Sequence, residues 1–415
     1  MPLPAKIFAL LGVLLLLQSL LSLLDGFRFR SFVRRSFARP LGDHRPPVAV
    51  IIPCKGVAPD FEMNVTSFLM QDYPGYQVIF AVASRGDAAY ALLSQQLRAL
   101  ESASAFPAGT SVGPRNASLV VAGLSDERGE KVNNMVRALA EVDAGTEVLA
   151  FADIDARPNP RWLRSLVAPL GDPSVMVSTG FRWYLPGRSF ASQARAAWDT
   201  SIATTLGGRS QRLVWGGSMA MRAADFARLR IAERYWAHTV SDDYAVARAV
   251  RESGGRIRFE PRCLVESREE SSFGDFLRWS NRQIILTRVY AARLWGLGLA
   301  SYALYGATFL LGLIAIALPA STATERAAVA VTLVAILLLG VAKARLRTQV
   351  AREIFPEESA TLHRYGARYW QLAPLVPWIM LFNFVVAGFT RRMEWAGVHY
   401  ELRSADEVGV VGRRQ

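Results

Sequence analysis

The sequence predicts an α/β domain built on a mostly parallel sheet, with transmembrane helices at both ends of the chain. From Pro46 to about Glu270, short β-branched runs alternate with helical stretches, the pattern of strands buried on both faces beneath crossover helices. An apolar segment, Ile7 to Leu24, precedes this region. Three further apolar runs follow it, near Trp295–Leu318, Arg326–Val341 and Tyr369–Phe389, at the scale of membrane segments.

Composition narrows the setting. The 415 residues are 51% hydrophobic and carry a net charge of +13. Arginines gather beside the apolar runs, which suits an anionic membrane surface; no basic-aromatic motif points to a nucleic acid partner. Cys54 and Cys263 form neither a disulfide framework nor a metal-ligand spacing.

Taken in order, residues 1–27 read as an uncleaved anchor. Only Lys6 precedes the apolar segment, whereas Arg28, Arg30, Arg34, Arg35 and Arg39 follow it, the reverse of a cleaved signal peptide. The positive-inside rule puts the N-terminus outside and residues 46–272 in the cytoplasm. Strands are expected near Val48–Ile52, Val78–Val82, Leu119–Val121, Val148–Ala152 and Val175–Thr179. The Ser-, Pro- and Gly-rich stretch Ser102–Asn116 reads as a surface loop.

Residues 273–294 interleave Phe276, Leu277 and Trp279 with Arg278, Arg282, Arg288 and Arg293, the pattern of an amphipathic helix for the water–lipid boundary or of a surface helix packed on the domain. Residues 295–390 hold the C-terminal membrane helices, making an integral protein of about four segments. Pro319–Glu325 is expected outside, and Lys343, Arg345, Arg347 and Arg352 inside. Pro374 and Pro377 mark the last segment as broken or re-entrant, which leaves the side of the 391–415 tail open.

Chemistry concentrates at strand ends. The run Val148–Ala152 delivers Asp153-Ile-Asp155 and is stopped by Pro158 and Pro160. At the carboxyl end of a strand in an open sheet, such a pair can hold a divalent cation, Mg or Mn, against a diphosphate; turn and cap chemistry uses the same residues. Lys55 and Gly56 end the first strand. Asp87 follows the second, as a nucleotide contact or as the cap of a helix starting at Ala88. Lys131 opens a helix, either where a phosphate could sit or as an ordinary solvated lysine. Gly216 and Gly217 permit close backbone approach or a tight turn. Asp242 and Asp243 begin a helix as a general base or as first-turn acids.

In this order, Lys55–Asp60, Gln71-Asp-Tyr-Pro74, Lys131-Val-Asn-Asn134, Asp153-Ile-Asp155, Gly216–Arg222, Ser241-Asp-Asp-Tyr244 and Arg278-Trp279 resemble the ceramide glucosyltransferases. They also resemble bacterial hopanoid-associated relatives within the family 2 nucleotide-sugar transferases. The likeness spans about Val48 to Trp279, with a looser echo at Trp395–Tyr400. It implies a GT-A-type nucleotide-sugar-binding sheet. It also implies transfer of a hexose from a nucleotide diphosphate sugar, such as UDP-hexose, to a membrane lipid hydroxyl, ceramide-like or hopanoid, with inversion. By the same resemblance Lys55, Asp87, Lys131, Asp153, Gly217, Arg278 and Trp279 serve the nucleotide sugar, Asp153 and Asp155 the metal, and Asp243 is the catalytic base. Three positions depart from the pattern: Asp275 stands where the last motif has Gln or Arg, Ser84 where an acid often precedes Asp87, and Asp242 where relatives carry Glu. A processive polysaccharide synthase and a catalytically silent scaffold are the rival readings.

Overall fold

The computed structural model describes residues 3–102, 113–207 and 213–413. They form two compact units, each assembled from separate stretches of chain: Arg35–Trp183 with Leu206–Ser267 and Arg391–Gln415, and Met1–Arg34 with Tyr184–Thr205 and Arg268–Thr390.

The first unit holds a sheet of seven strands: β1 (Val48–Cys54), β2 (Tyr76–Val82), β3 (Pro114–Val121), β4 (Val148–Ala152), β5 (Val175–Tyr184), β6 (Ser218–Arg222) and β7 (Arg256–Ser267). Their order is β3-β2-β1-β4-β6-β5-β7. Every residue of β1, β2 and β4 is buried, which explains why these strands read as continuous apolar runs. Val48, Val50 and Ile52 face a core completed by Phe61, Phe68, Leu93 and Trp162. Ala49 and Ile51 face the opposite core, with Met135, Phe226, Trp236 and Val246.

The α/β class stands, and the sheet is mixed with a parallel part. β1, β2, β3 and β4 run parallel, but β6 is antiparallel to both β4 and β5. Of the expected loop Ser102–Asn116, residues 103–112 lie outside the described residues, and Pro114–Asn116 already belong to β3. The tail adds a meander of β8 (Arg392–Trp395), β9 (Val398–Ser404) and β10 (Glu407–Arg413). Its first turn is the two-residue Ala396-Gly397, with φ of 48° and 76°, the left-handed pair such hairpins require.

The second unit is helical. Among the described residues three helices are long and apolar enough to cross a membrane, Leu3–Ala38, Ala292–Ala317 and Ala323–Ile354, where about four segments were expected. The last apolar run begins with a short turn, Arg368–Gln371. It then forms a helix of only 14 residues, Val376–Phe389, with a proline in its first turn, shorter than hydrocarbon demands. Leu10, Leu21, Leu297, Leu313 and Leu338 point outward, as lipid-facing residues do. Glu353 ties the first long helix to the last, at 2.7 Å from both Arg30 and Arg34.

Candidate functional site

The candidate site lies in the sheet unit, where β1 and β4 end side by side. The register pairs Ala152 with Ser218 across β4 and β6, so the turn before β6 comes to rest beside Asp153. That turn is Gly216-Gly217. A Cβ on Gly216 would overlap the Asp242 carboxylate, and one on Gly217 would stand 2.5 Å from Asp153 Oδ2. The glycines are therefore the space into which two carboxylates fit.

Around them a charge cluster closes. Lys131, in the first turn of the Glu130–Ala138 helix, places Nζ 2.7 Å from Asp153 Oδ1 and 3.2 Å from Asp242 Oδ1. Arg182 on β5 forks onto Asp155, with Nη1 at 2.8 Å and Nη2 at 2.5 Å, and its Nη2 reaches Asp153 Oδ2 at 3.2 Å. The Arg182 guanidinium rests over the Trp215 ring at 5.3 Å. Every carboxylate oxygen of Asp153 and Asp155 thus faces a cationic side chain.

The titration shifts follow from this packing. Burial acts against the Lys131 charge, but Asp153 and Asp242 outweigh it and hold the ammonium well above its ordinary pKa. Burial would raise Asp155, and Arg182 brings it below the usual carboxylate range instead. Asp242 is 2% exposed. Burial pushes it up to about 7, with Lys131 offsetting part of the cost and Asp243 and Asp153 adding to it. Its Oδ2 has no hydrogen-bond partner.

Lys55, Lys131, Asp153 and Asp155 share one cavity of about 400 Å³, closed by Gly129, Asn134, Val240, Trp395, Ala396 and Tyr400. Lys55 pairs with Glu130 at 2.8 Å. The Tyr400 hydroxyl accepts from the Glu130 backbone N–H at 3.1 Å, which brings the C-terminal meander to the cavity wall. Asn134 is buried with its Oδ1 unpaired. Asp87 caps its helix by accepting from the Ala89 N–H at 2.9 Å, and the same oxygen accepts from the Gly56 N–H at 2.8 Å. It thereby fixes the loop after β1, and Gly56 lines the cavity in its place.

Ser241 caps the Asp242–Glu252 helix, so Asp242 and Asp243 are both first-turn acids. Asp243 is half-buried, its Oδ1 bonded to the Tyr244 N–H at 2.7 Å and to the Ser241 hydroxyl, and its charge acts on Lys131.

Arg278 and Trp279 belong to the helical unit, on the helix Phe273–Tyr290. Arg278 is exposed and pairs with Asp275, which completes a capping box with Ser272; that box occupies the departure noted in the motif. Trp279 packs edge-on against Tyr184 and Trp198, with Arg195 over its ring at 5.0 Å.

The sequence candidates include neither Arg182, which pairs with Asp153 and Asp155, nor Asn134 and Tyr400, which line the cavity. The echo Trp395–Tyr400 was the only signal for the last of them.

A metal can be tested against the donor set. Among the described residues no three His, Cys, Asp or Glu side chains converge. Two carboxylates suffice for a hard cation that keeps water and phosphate oxygens as its other ligands. The place between Asp153 and Asp155 is already one that positive charge fills, so the residues fit.

Among solved structures the chain matches the mannosyltransferase PcManGT from Pyrobaculum calidifontis, solved in complex with GDP-Man and Mn2+. The likeness covers 92% of this chain and 97% of that one, at 14% identity and a TM-score of 0.45. The profile of glycosyl transferase family 21 matches residues 14–408. The chain belongs to that family, the ceramide glucosyltransferase family, and is a glycosyltransferase.

Proposed function

We propose that this glycosyltransferase is membrane-bound and inverting, moving a hexose from a nucleoside diphosphate sugar, UDP-hexose, to the hydroxyl of a ceramide-like or hopanoid lipid. The observation that carries the reading is the charge of the cluster. Asp153, Asp155, Asp242 and Asp243 set four carboxylates against the two cations Lys131 and Arg182. A diphosphate entering beside that excess of negative charge needs further positive charge. Asp153 and Asp155 would hold a divalent cation, Mg or Mn, which supplies neutralisation of the leaving diphosphate when bound.

The remaining work falls to the chain's own residues. Lys131 and Lys55 face the diphosphate from the cavity wall, and Asp87 and Gly217 serve the nucleotide sugar through the loops they shape. The acceptor oxygen attacks the anomeric carbon from the face opposite the leaving group. Asp243 takes the hydroxyl proton, the bond to the diphosphate oxygen breaks, and the nucleoside diphosphate departs with the electron pair. One displacement gives a β-linked sugar from an α-linked donor. Arg278 and Trp279 serve the acceptor and the diphosphate, as the family motif assigns them.

The topology that goes with this reading has the N-terminus outside and the sheet unit in the cytoplasm. Two crossings in the C-terminal half return the chain to that side, and the 14-residue helix does not cross. The tail then ends on the cytoplasmic side, in keeping with its place in the sheet unit.

The test is mass spectrometry of lipids from cells with and without the gene, fed labelled nucleotide-sugar precursors. One hexose per lipid is expected. A polymer would move the reading to a processive synthase, and an unchanged lipid profile would remove it.

A further inference from the structure

The helical unit holds a second cavity, of about 200 Å³, and its lining is not that of a void among apolar helices. The Leu3–Ala38, Ala292–Ala317 and Ala323–Ile354 helices contribute Ser19, Ser22, Tyr302, Tyr305, Lys343 and Arg347. Arg347 is 7% exposed, and its buried Nε has no hydrogen-bond partner among the described residues. Lys343 donates to the Ser22 hydroxyl. Among the described residues no Asp or Glu lines the cavity; Asp25, one turn beyond Ser22, pairs at 2.9 Å with exposed Arg28 and its charge also acts on Lys343.

The same unit supplies an acid where it keeps other arginines: Glu353 serves Arg30 and Arg34. Around Arg347 it supplies none among the described residues. A buried guanidinium without a counter-charge is among the costliest arrangements a fold can keep, and ionisable groups gathered among membrane helices mark function.

We propose that this cavity binds a phosphate-bearing anion, the headgroup of an anionic membrane lipid, with Arg347 and Lys343 as its counter-charges and the serine and tyrosine hydroxyls on its remaining oxygens. The helices that wall the cavity present Leu14, Leu17 and Leu338 outward, so a ligand with acyl chains fits their surroundings. Lys343 and Arg347 stand toward the end of the helix that also carries Arg352, the basic boundary where anionic lipids collect. The site shares no residue with the Asp153 cavity and stands independently of the transfer reaction.

The test uses the full chain in detergent, titrated with phosphatidylglycerol or phosphatidylcholine and read by native mass spectrometry. One phosphatidylglycerol should be retained with a preference of about tenfold or more, the scale of charge-assisted hydrogen bonds. Arg347→Met and Lys343→Gln should each reduce that preference, Arg347→Lys should keep most of it, and Arg345→Gln, whose guanidinium lies 4.8 Å from the Trp370 ring, should leave it intact. Inorganic phosphate without lipid forms the second arm. If it raises the thermal midpoint of the wild type as far as phosphatidylglycerol does, and not that of Arg347→Met, the anion site stands with a soluble source; if only the lipid does so, the source is the headgroup. Equal retention of the two lipids with no response to phosphate, or an undiminished preference in both Arg347→Met and Lys343→Gln, would overturn the proposal.

Discussion

Arg182 holds both carboxylates that are proposed to take the cation, so the two must compete, and Arg182→Gln should release the competition. A cation entering alone would take the two carboxylates from a guanidinium only 11% exposed. Breaking a buried ion pair in this way costs about 3–5 kcal/mol. Asp155 is 38% exposed, and solvent screening reduces the figure to about 2 kcal/mol, or roughly thirtyfold in affinity. Without nucleotide, Mn2+ should therefore bind Arg182→Gln between about tenfold and thirtyfold more tightly than the wild type. With UDP in the proposed site, its phosphate oxygens would offer the displaced arginine of the wild type new partners. Glutamine cannot repay that loss, so the mutual enhancement of cation and nucleotide binding should fall by a similar factor, as linkage requires. Electron paramagnetic resonance of Mn2+, titrated into each protein with and without UDP, reads both quantities without turnover. Unchanged or weaker Mn2+ binding by the variant in the absence of nucleotide would refute the competition.

Three further outcomes are expected. Gly216→Ala drives a methyl into the Asp242 carboxylate; overpacking of this kind costs about 1–3 kcal/mol. Its thermal midpoint should fall and recover in part in Gly216→Ala/Asp242→Ala, and a wild-type midpoint in the single variant would contradict the cradle. Asp243→Asn should lower kcat by about 10²–10⁴ while calorimetry finds UDP affinity unchanged; loss of UDP binding in step with kcat would make Asp243 a binding residue instead. Asn383 is fully buried and accepts from Trp198 Nε1 at 3.0 Å while donating to Ser280 and Asn281. Asn383→Ala should cost about 1–3 kcal/mol for the groups it orphans, which equal thermal midpoints would disprove.

The legible parts of the fold are those whose burial is imposed on both faces. β1, β2 and β4 are buried at every position and apolar at nearly all, hydrogen-bonded Gln77 being the polar exception, so their runs stand out, and the acids at the end of β4 stand out with them. β6 is five residues long and owes its place to partners far along the chain, and nothing local announces it. β7 alternates Arg256, Arg258, Glu260 and Arg262 with apolar residues and contains Pro261, which argues against a strand. Arg182 escaped notice because the β-branched run before it stops at Gly180. That glycine is no strand end: a Cβ there would overlap the Cys263 carbonyl oxygen. β5 continues through it to Tyr184 and carries Arg182 to the carboxylates. A close-packing glycine and a terminating glycine look alike until the neighbouring strand is known.

The same limit applies to the adjacent acids Asp242 and Asp243, and here the geometry bears on a chemical assignment. Consecutive residues of a helix point about 100° apart, so the two carboxylates of this first turn cannot serve one direction. Asp242 turns inward onto Lys131, where burial pushes it up to about 7. It is basic enough to accept a proton, but at 2% exposure it is closed to an acceptor hydroxyl. Asp243 turns outward, half-buried, with Oδ1 held by Ser241 and the Tyr244 N–H. That grip aims the carboxylate and leaves Oδ2 to take a proton. A base must be reachable before it is strong. On that ground the proposed proton transfer falls to Asp243, and Asp242 pairs with Lys131.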